Sequence, residues 1–332
     1  MTMPPLGGPS PSAQDRSLPN SSANRRRWMG LGLSLVVVIA VVIGLVVWKA
    51  NHGPGAGTAT PADDGVDRTV GLLREKDPVC DEWLKYADEL AAETQKWADI
   101  DDEIPASNWS PEQREVVTRA AIAISAAADH FESILPKAKF SALRELVAQA
   151  IVYWRAYVSA IPTYVAIDGK LSGVASNFGG AVTYMCTAAR LLSDASSGSE
   201  RQSFTVSPKE LAPFMTTPDV ACDDFLDVVE RQNALLRTWV EEDPTVPASE
   251  WSLKQRRLNL AAEEVLARDI AEVRDIAEVT TNPIFSDLLY TYSAYMQAFA
   301  DVIPTYVPAD DQLWKVAIYL AGGLGSACEA RP

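Results

Sequence analysis

Hydrophobic residues fall into three regimes along this chain. The first is continuous. From Trp28 to Trp48 the sequence runs WMGLGLSLVVVIAVVIGLVVW without one charged residue. At about 1.5 Å of rise per residue such a helix covers a hydrocarbon core of roughly 30 Å. A Trp at either edge suits the two interfaces. Arg25, Arg26 and Arg27 precede the run and only Lys49 follows closely. The excess of basic residues on the N-terminal side places that side in the cytoplasm and the rest of the chain outside. The run is longer than a cleaved signal's apolar core and leaves through Trp-Lys instead of a small-residue cleavage site, so it reads as an uncleaved signal-anchor.

The second regime is periodic. Trp83, Leu84, Ala87, Leu90, Ala91 and Trp97 recur at three-to-four spacing, and Val117, Ala120, Ala121, Ile124, Ala128, Phe131 and Ile134 make a second stripe. Leu143 through Val158 and Leu171 through Met185 supply two more. Each stripe predicts an amphipathic helix, and no stretch sustains β alternation. Ser110-Pro111-Glu112-Gln113 is an N-cap followed by Pro and a capping Gln, and Ser252 to Gln255 repeats the capping box. Pro162 and Pro304 stop the third helix of their copies, and Pro283 opens the third helix of the second.

The copies themselves appear when the chain is shifted by 142 residues. Cys80 then falls on Cys222, Cys186 on Cys328, Trp97 on Trp239, Trp109 on Trp251 and Tyr153 on Tyr295, while the run Ile161–Val165 falls on Ile303–Val307. Between Cys80 and Cys186, 29 of 107 positions are identical with no gap. Chance at this composition gives roughly 7–8%. A period this long marks duplicated domains, not a solenoid.

The third regime is polar and rich in Pro, Gly, Ser and Thr. It divides the chain into a disordered cytoplasmic tail (1–27), the membrane helix (28–48), a flexible tether (49–77), a first helical repeat (78–192), a linker (193–217) and a second repeat (218–332). The expected fold is therefore all-α: one N-terminal transmembrane helix and a tandem repeat of two four-helix up-down bundles. In such a bundle the start of helix one and the end of helix four share an end. That pairs Cys80 with Cys186 and Cys222 with Cys328, two disulfides suited to an oxidising compartment.

Charge and chemistry narrow the function. The net charge is −15, and because Arg16, Arg25, Arg26 and Arg27 stand against Asp15 in the tail, the remainder carries −18. Such a body repels nucleic acid and anionic headgroups. Its acidic runs (Asp99, Asp101, Asp102, Glu103; Glu241, Glu242, Asp243) lack EF-hand spacing and read as solvated charge. His130 is the one imidazole outside the tether, and HExxH, P-loop, Gly-rich βα and GxSxG signatures are absent. No enzyme, cofactor or metal is expected. Gly179-Gly180 and Gly322-Gly323 read as close helix packing.

The two copies share most in their loops: PASxWSxxQR between helices one and two, and YxxAxxxxIPTYV at the end of helix three. Both loops fall at the end opposite the disulfide and gather Trp109 and Tyr164, or Trp251 and Tyr306. These four form either an aromatic plug or a recognition surface. The reading that follows is a non-enzymatic, single-pass, extracytoplasmic scaffold or accessory subunit of a cell-envelope complex, bound to another envelope protein. The alternative is a helical ectodomain that holds a lipid or other apolar small molecule among Trp83, Trp97, Trp154 and Phe178.

Overall fold

The computed structural model describes residues 69–192, 201–202, 211–217 and 219–330. The tail and the expected membrane helix at 28–48 lie outside these residues. Among the described residues no helix is long and apolar enough to cross a membrane.

The first repeat contains α1 (Cys80–Ala98), α2 (Pro111–Ile134), α3 (Ser141–Ala160) and α4 (Gly169–Ala188). The second contains α5 (Ala221–Leu236), α6 (Leu253–Val279), α7 (Pro283–Val302) and α8 (Asp311–Glu329). In each, successive helices pack side by side, and the fourth returns to the first. The sequence signals act as expected. Ser110 Oγ accepts from the Gln113 N–H while the Gln113 side chain accepts from the Ser110 N–H, and Ser252 and Gln255 repeat the exchange. Pro283 opens α7, with Asn282 capping Ile284 and Phe285.

Both disulfides join the predicted partners, with Cα atoms 5.4 Å apart for Cys80–Cys186 and 5.5 Å for Cys222–Cys328. They sit where α1 begins and α4 ends, and where α5 begins and α8 ends.

The described residues, both repeats included, fall in one compact unit. The repeats meet through their fourth helices, α4 against α8. A Cβ on Gly180 would approach Tyr319, one on Gly322 would approach Asn177, and one on Gly173 would approach Ser326. Rising numbers on one helix meet falling numbers on the other, so the pair is antiparallel. The repeat offset converts Gly180 into Gly322 and Asn177 into Tyr319. The Gly180–Tyr319 and Gly322–Asn177 contacts are thus one contact written twice. Likewise the Lys170–Glu329 ion pair is the counterpart of the Thr187–Gln312 hydrogen bond. The two repeats are related by an internal pseudo-two-fold axis, as two subunits are in an isologous dimer.

Two boundaries move. The tether expected over 49–77 has given way by Thr69 to packed chain: Val70, Leu72 and Leu73 are buried. The linker expected over 193–217 likewise ends in buried Phe214 and Met215. The physical reason is an exchange. The N–H of Leu73, just before repeat one, donates to the buried Tyr295 hydroxyl on α7 of repeat two. Phe214, just before repeat two, donates its backbone N–H to Gln149 Oε1 on α3 of repeat one. Each leading segment crosses to the other bundle. A two-residue antiparallel pairing, β1 (Thr69–Val70) with β2 (Arg201–Gln202), joins these segments.

Candidate functional site

The shared loops build the same structure twice. In repeat one the Ala106 N–H donates to the Tyr164 carbonyl at 2.9 Å, tying the α1–α2 loop to the α3–α4 loop. Tyr164 Oη donates to the Asp102 carbonyl at 2.7 Å and Trp109 Nε1 to the Ile104 carbonyl at 2.9 Å. In repeat two Ala248 N–H donates to the Tyr306 carbonyl (2.8 Å), Tyr306 Oη to Pro244 (2.7 Å) and Trp251 Nε1 to Val246 (3.0 Å). The Trp and Tyr rings lie 5.4 Å apart in the first mouth and 5.9 Å apart, stacked, in the second.

Trp109, Tyr164 and Tyr306 are accordingly buried and Trp251 partly buried. Their polar atoms bond inward to loop carbonyls, which is the geometry of a plug. Any recognition surface at this end consists of Trp251 and the residues around the rings. Beneath the plug of repeat one, Trp97 Nε1 donates to Tyr157 Oη at 2.8 Å. Burial pushes the Tyr157 phenol up to about 12, so it stays a neutral hydrogen-bonding group at physiological pH.

The mouths differ where the repeats diverged. At the repeat-two mouth Glu242 stands where repeat one has Ile100, Asn259 where it has Val117, and Phe299 where it has Tyr157. Trp239, deprived of a Tyr hydroxyl, donates instead to Asn259 Oδ1 at 2.9 Å. A shallow recess, open to solvent, is lined there by Trp239, Glu242, Trp251, Asn259, Phe299 and Tyr306. In repeat one the Arg114 guanidinium lies 5.9 Å from the Trp109 ring centre and donates to the Ala106 carbonyl at 2.8 Å.

The side chains considered for an apolar ligand are packed on one another. Trp83 lies 4.1 Å from Phe131 and 6.4 Å from Trp154, and its Nε1 donates to Thr183 Oγ1. Phe178 packs under Phe214 at the junction of the repeats. Among the described residues no group of three or more His, Cys, Asp or Glu is placed to hold a metal. His130 stacks on Tyr86.

Three buried acids escaped the sequence reading. Asp269, fully buried on α6, accepts from Arg268 and Arg231. Glu145 on α3 and Asp287 on α7 are buried at symmetry-related positions, and burial pushes the Glu145 carboxyl above its usual range, with Asp287 adding to the effect. For Glu145 and Asp287 the signal was available: each is an acid inside a largely apolar run, and the repeat offset superimposes them.

The model of a family described as Mycobacterial ESX-1 associated protein matches residues 75–332. An uncharacterized protein of Mycolicibacterium smegmatis (strain MKD8) is similar, 27% identical over 325 residues, with 92% of this chain and 86% of the relative covered. No solved structure matches.

Proposed function

Because this chain belongs to the mycobacterial ESX-1 associated protein family, we propose that it is a non-enzymatic accessory subunit of that secretion system, a membrane-held scaffold whose helical body docks another envelope protein. The observation that carries the reading is the extent of the family match. It begins at residue 75 and ends at 332, and so coincides with the paired, twice-stapled body rather than with the tail or anchor. The matched stretch is the double bundle, held by two disulfides and a packed junction between the repeats. Rigidity favours a docking role, because a preorganised surface loses little conformational freedom on binding.

In this reading residues 28–48 hold the body at the outer face of the cell membrane with the tail in the cytoplasm. Two disulfides suit that side. The relative's alignment covers more of this chain than residues 69–332 alone supply, so part of the N-terminal region is shared as well.

The test is photocrosslinking in intact cells, with the reactive group placed in turn at exposed Ile122, Val220, Leu253 and Leu260. The expected result is a discrete adduct with an ESX-1 component from at least one position. If a folded, membrane-held chain gave no such adduct from any of them, the scaffold reading would be lost.

A further inference from the structure

The two mouths are the same construction in different states of occupancy. In repeat one the face of Trp109 is covered by the chain's own Arg114 guanidinium, 5.9 Å from the ring centre. In repeat two the equivalent Arg256 is exposed, and among the described residues its side chain makes no hydrogen bond or ion pair. Trp251 is correspondingly less buried than Trp109. Beside it, Glu242 lines the recess half-buried, and among the described residues its carboxylate makes no hydrogen bond or ion pair. Repeat one has Ile100 there, which packs against its core. The second mouth therefore brings a half-exposed indole and a half-buried carboxylate to one recess that opens to solvent.

From this we propose that the repeat-two mouth is a receptor for an arginine side chain of the docked partner. Its guanidinium lies over Trp251 and pairs with Glu242. The inference rests on the docking role above and supplies its chemistry. A planar guanidinium matches both partners. It stacks on an indole face, where the ring quadrupole attracts a cation, and it donates to carboxylate oxygens through a charge-assisted fork. Repeat one shows the first of these contacts with its own arginine. An acidic body also concentrates a basic partner at the recess before contact forms.

The experiment titrates full-length protein in detergent micelles with the peptide acetyl-Gly-Arg-Gly-amide, following indole N–H resonances by NMR. Trp251→Phe assigns the relevant signal. Acetyl-Gly-citrulline-Gly-amide, of the same shape without the charge, is the control. The arginine peptide should shift the Trp251 indole saturably and leave Trp109 unmoved. The citrulline peptide should leave both in place. Glu242→Gln, which keeps the side chain's size and removes its charge, should weaken the arginine response about tenfold.

Equal shifts from both peptides, no shift, or an unchanged response in Glu242→Gln would each overturn the proposal. So would a response that appears only in Arg256→Ala, since the chain would then be covering its own Trp251 in solution. The titration decides this inference alone, and the crosslinking decides the docking role. An adduct found by a protein that ignores the arginine peptide would leave the scaffold standing with its binding face elsewhere.

Discussion

At Gly323 an added methyl would sit 2.3 Å from Phe178 Cε1 and 2.4 Å from its Cδ1. Phe178 is fully buried where the two repeats meet and has nowhere to retreat. Gly325, two residues on, is different: a methyl there would meet only Leu226 Cδ2, at an ordinary 3.6 Å. Helix interiors favour Ala over Gly by about 0.8–1 kcal/mol. Gly323→Ala should therefore destabilise by about 1–3 kcal/mol through overpacking, while Gly325→Ala should be neutral or mildly stabilising. Urea midpoints of the two variants at constant slope check the opposite signs. A second residue-level test concerns the crossing segments. Tyr295→Phe strands the buried Leu73 N–H and should cost about 1–3 kcal/mol, with faster hydrogen exchange at Leu73. If the Leu73 amide exchanged no faster, the hydrogen bond across repeats would have no weight.

Each disulfide ties the first helix of a bundle to its fourth, and the fourth helices are the ones that pair across the axis. Cys222→Ser with Cys328→Ser should lower stability by roughly 4–5 kcal/mol, the chain-entropy figure for closing a loop of this length. Unfolding should nonetheless remain one transition. Leu73 on Tyr295 and Phe214 on Gln149 lash each bundle to the other's leading segment, so neither opens alone. Coincident far-ultraviolet circular dichroism and Trp fluorescence curves would show it, and two resolved steps would refute it. The helices, their caps and the Cys pairing were legible in the sequence, because a 3.6-residue period and an exact repeat spacing leave few arrangements. The leading segments were not. Val70, Leu72 and Leu73 are too few to show a period, and their partners lie over 200 residues away. The aromatic loops were legible in position but not in direction, since a ring turned inward and a ring offered to a partner are spelled alike. Gly180 and Gly322 announced close packing without naming the opposing helix.

The internal axis gives the whole molecule one property that neither repeat has alone: two acids, Glu145 and Asp287, buried at equivalent places on α3 and α7, helices that touch between the repeats. Glu145 Oε1 accepts from Gln149 Nε2 at 2.9 Å. The same Gln149 amide donates to the Ala212 carbonyl and accepts from the Phe214 N–H, so the acid is coupled to the segment that crosses into repeat two. Desolvation raises the Glu145 carboxyl above its ordinary 4.5, the nearby Asp287 charge raises it further, and the Gln149 bond opposes both. The folded state then holds this proton more tightly than the unfolded chain does. Its contribution to stability is greatest at and below about pH 4.5, declines as pH rises through the window between 4.5 and the raised folded value, and is an unfavourable contribution at neutral pH. Each unit of upward shift corresponds to about 1.4 kcal/mol. Glu145→Gln keeps an acceptor for Gln149 and never ionises. It should be more stable than the wild type at pH 7, with the advantage shrinking as pH falls toward 4.5. Urea midpoints of both proteins between pH 4 and pH 8 measure the convergence. Profiles that run parallel across that range would mean that the Glu145 charge is met in the folded protein, and that the paired acids exert no pH dependence on the junction of the repeats.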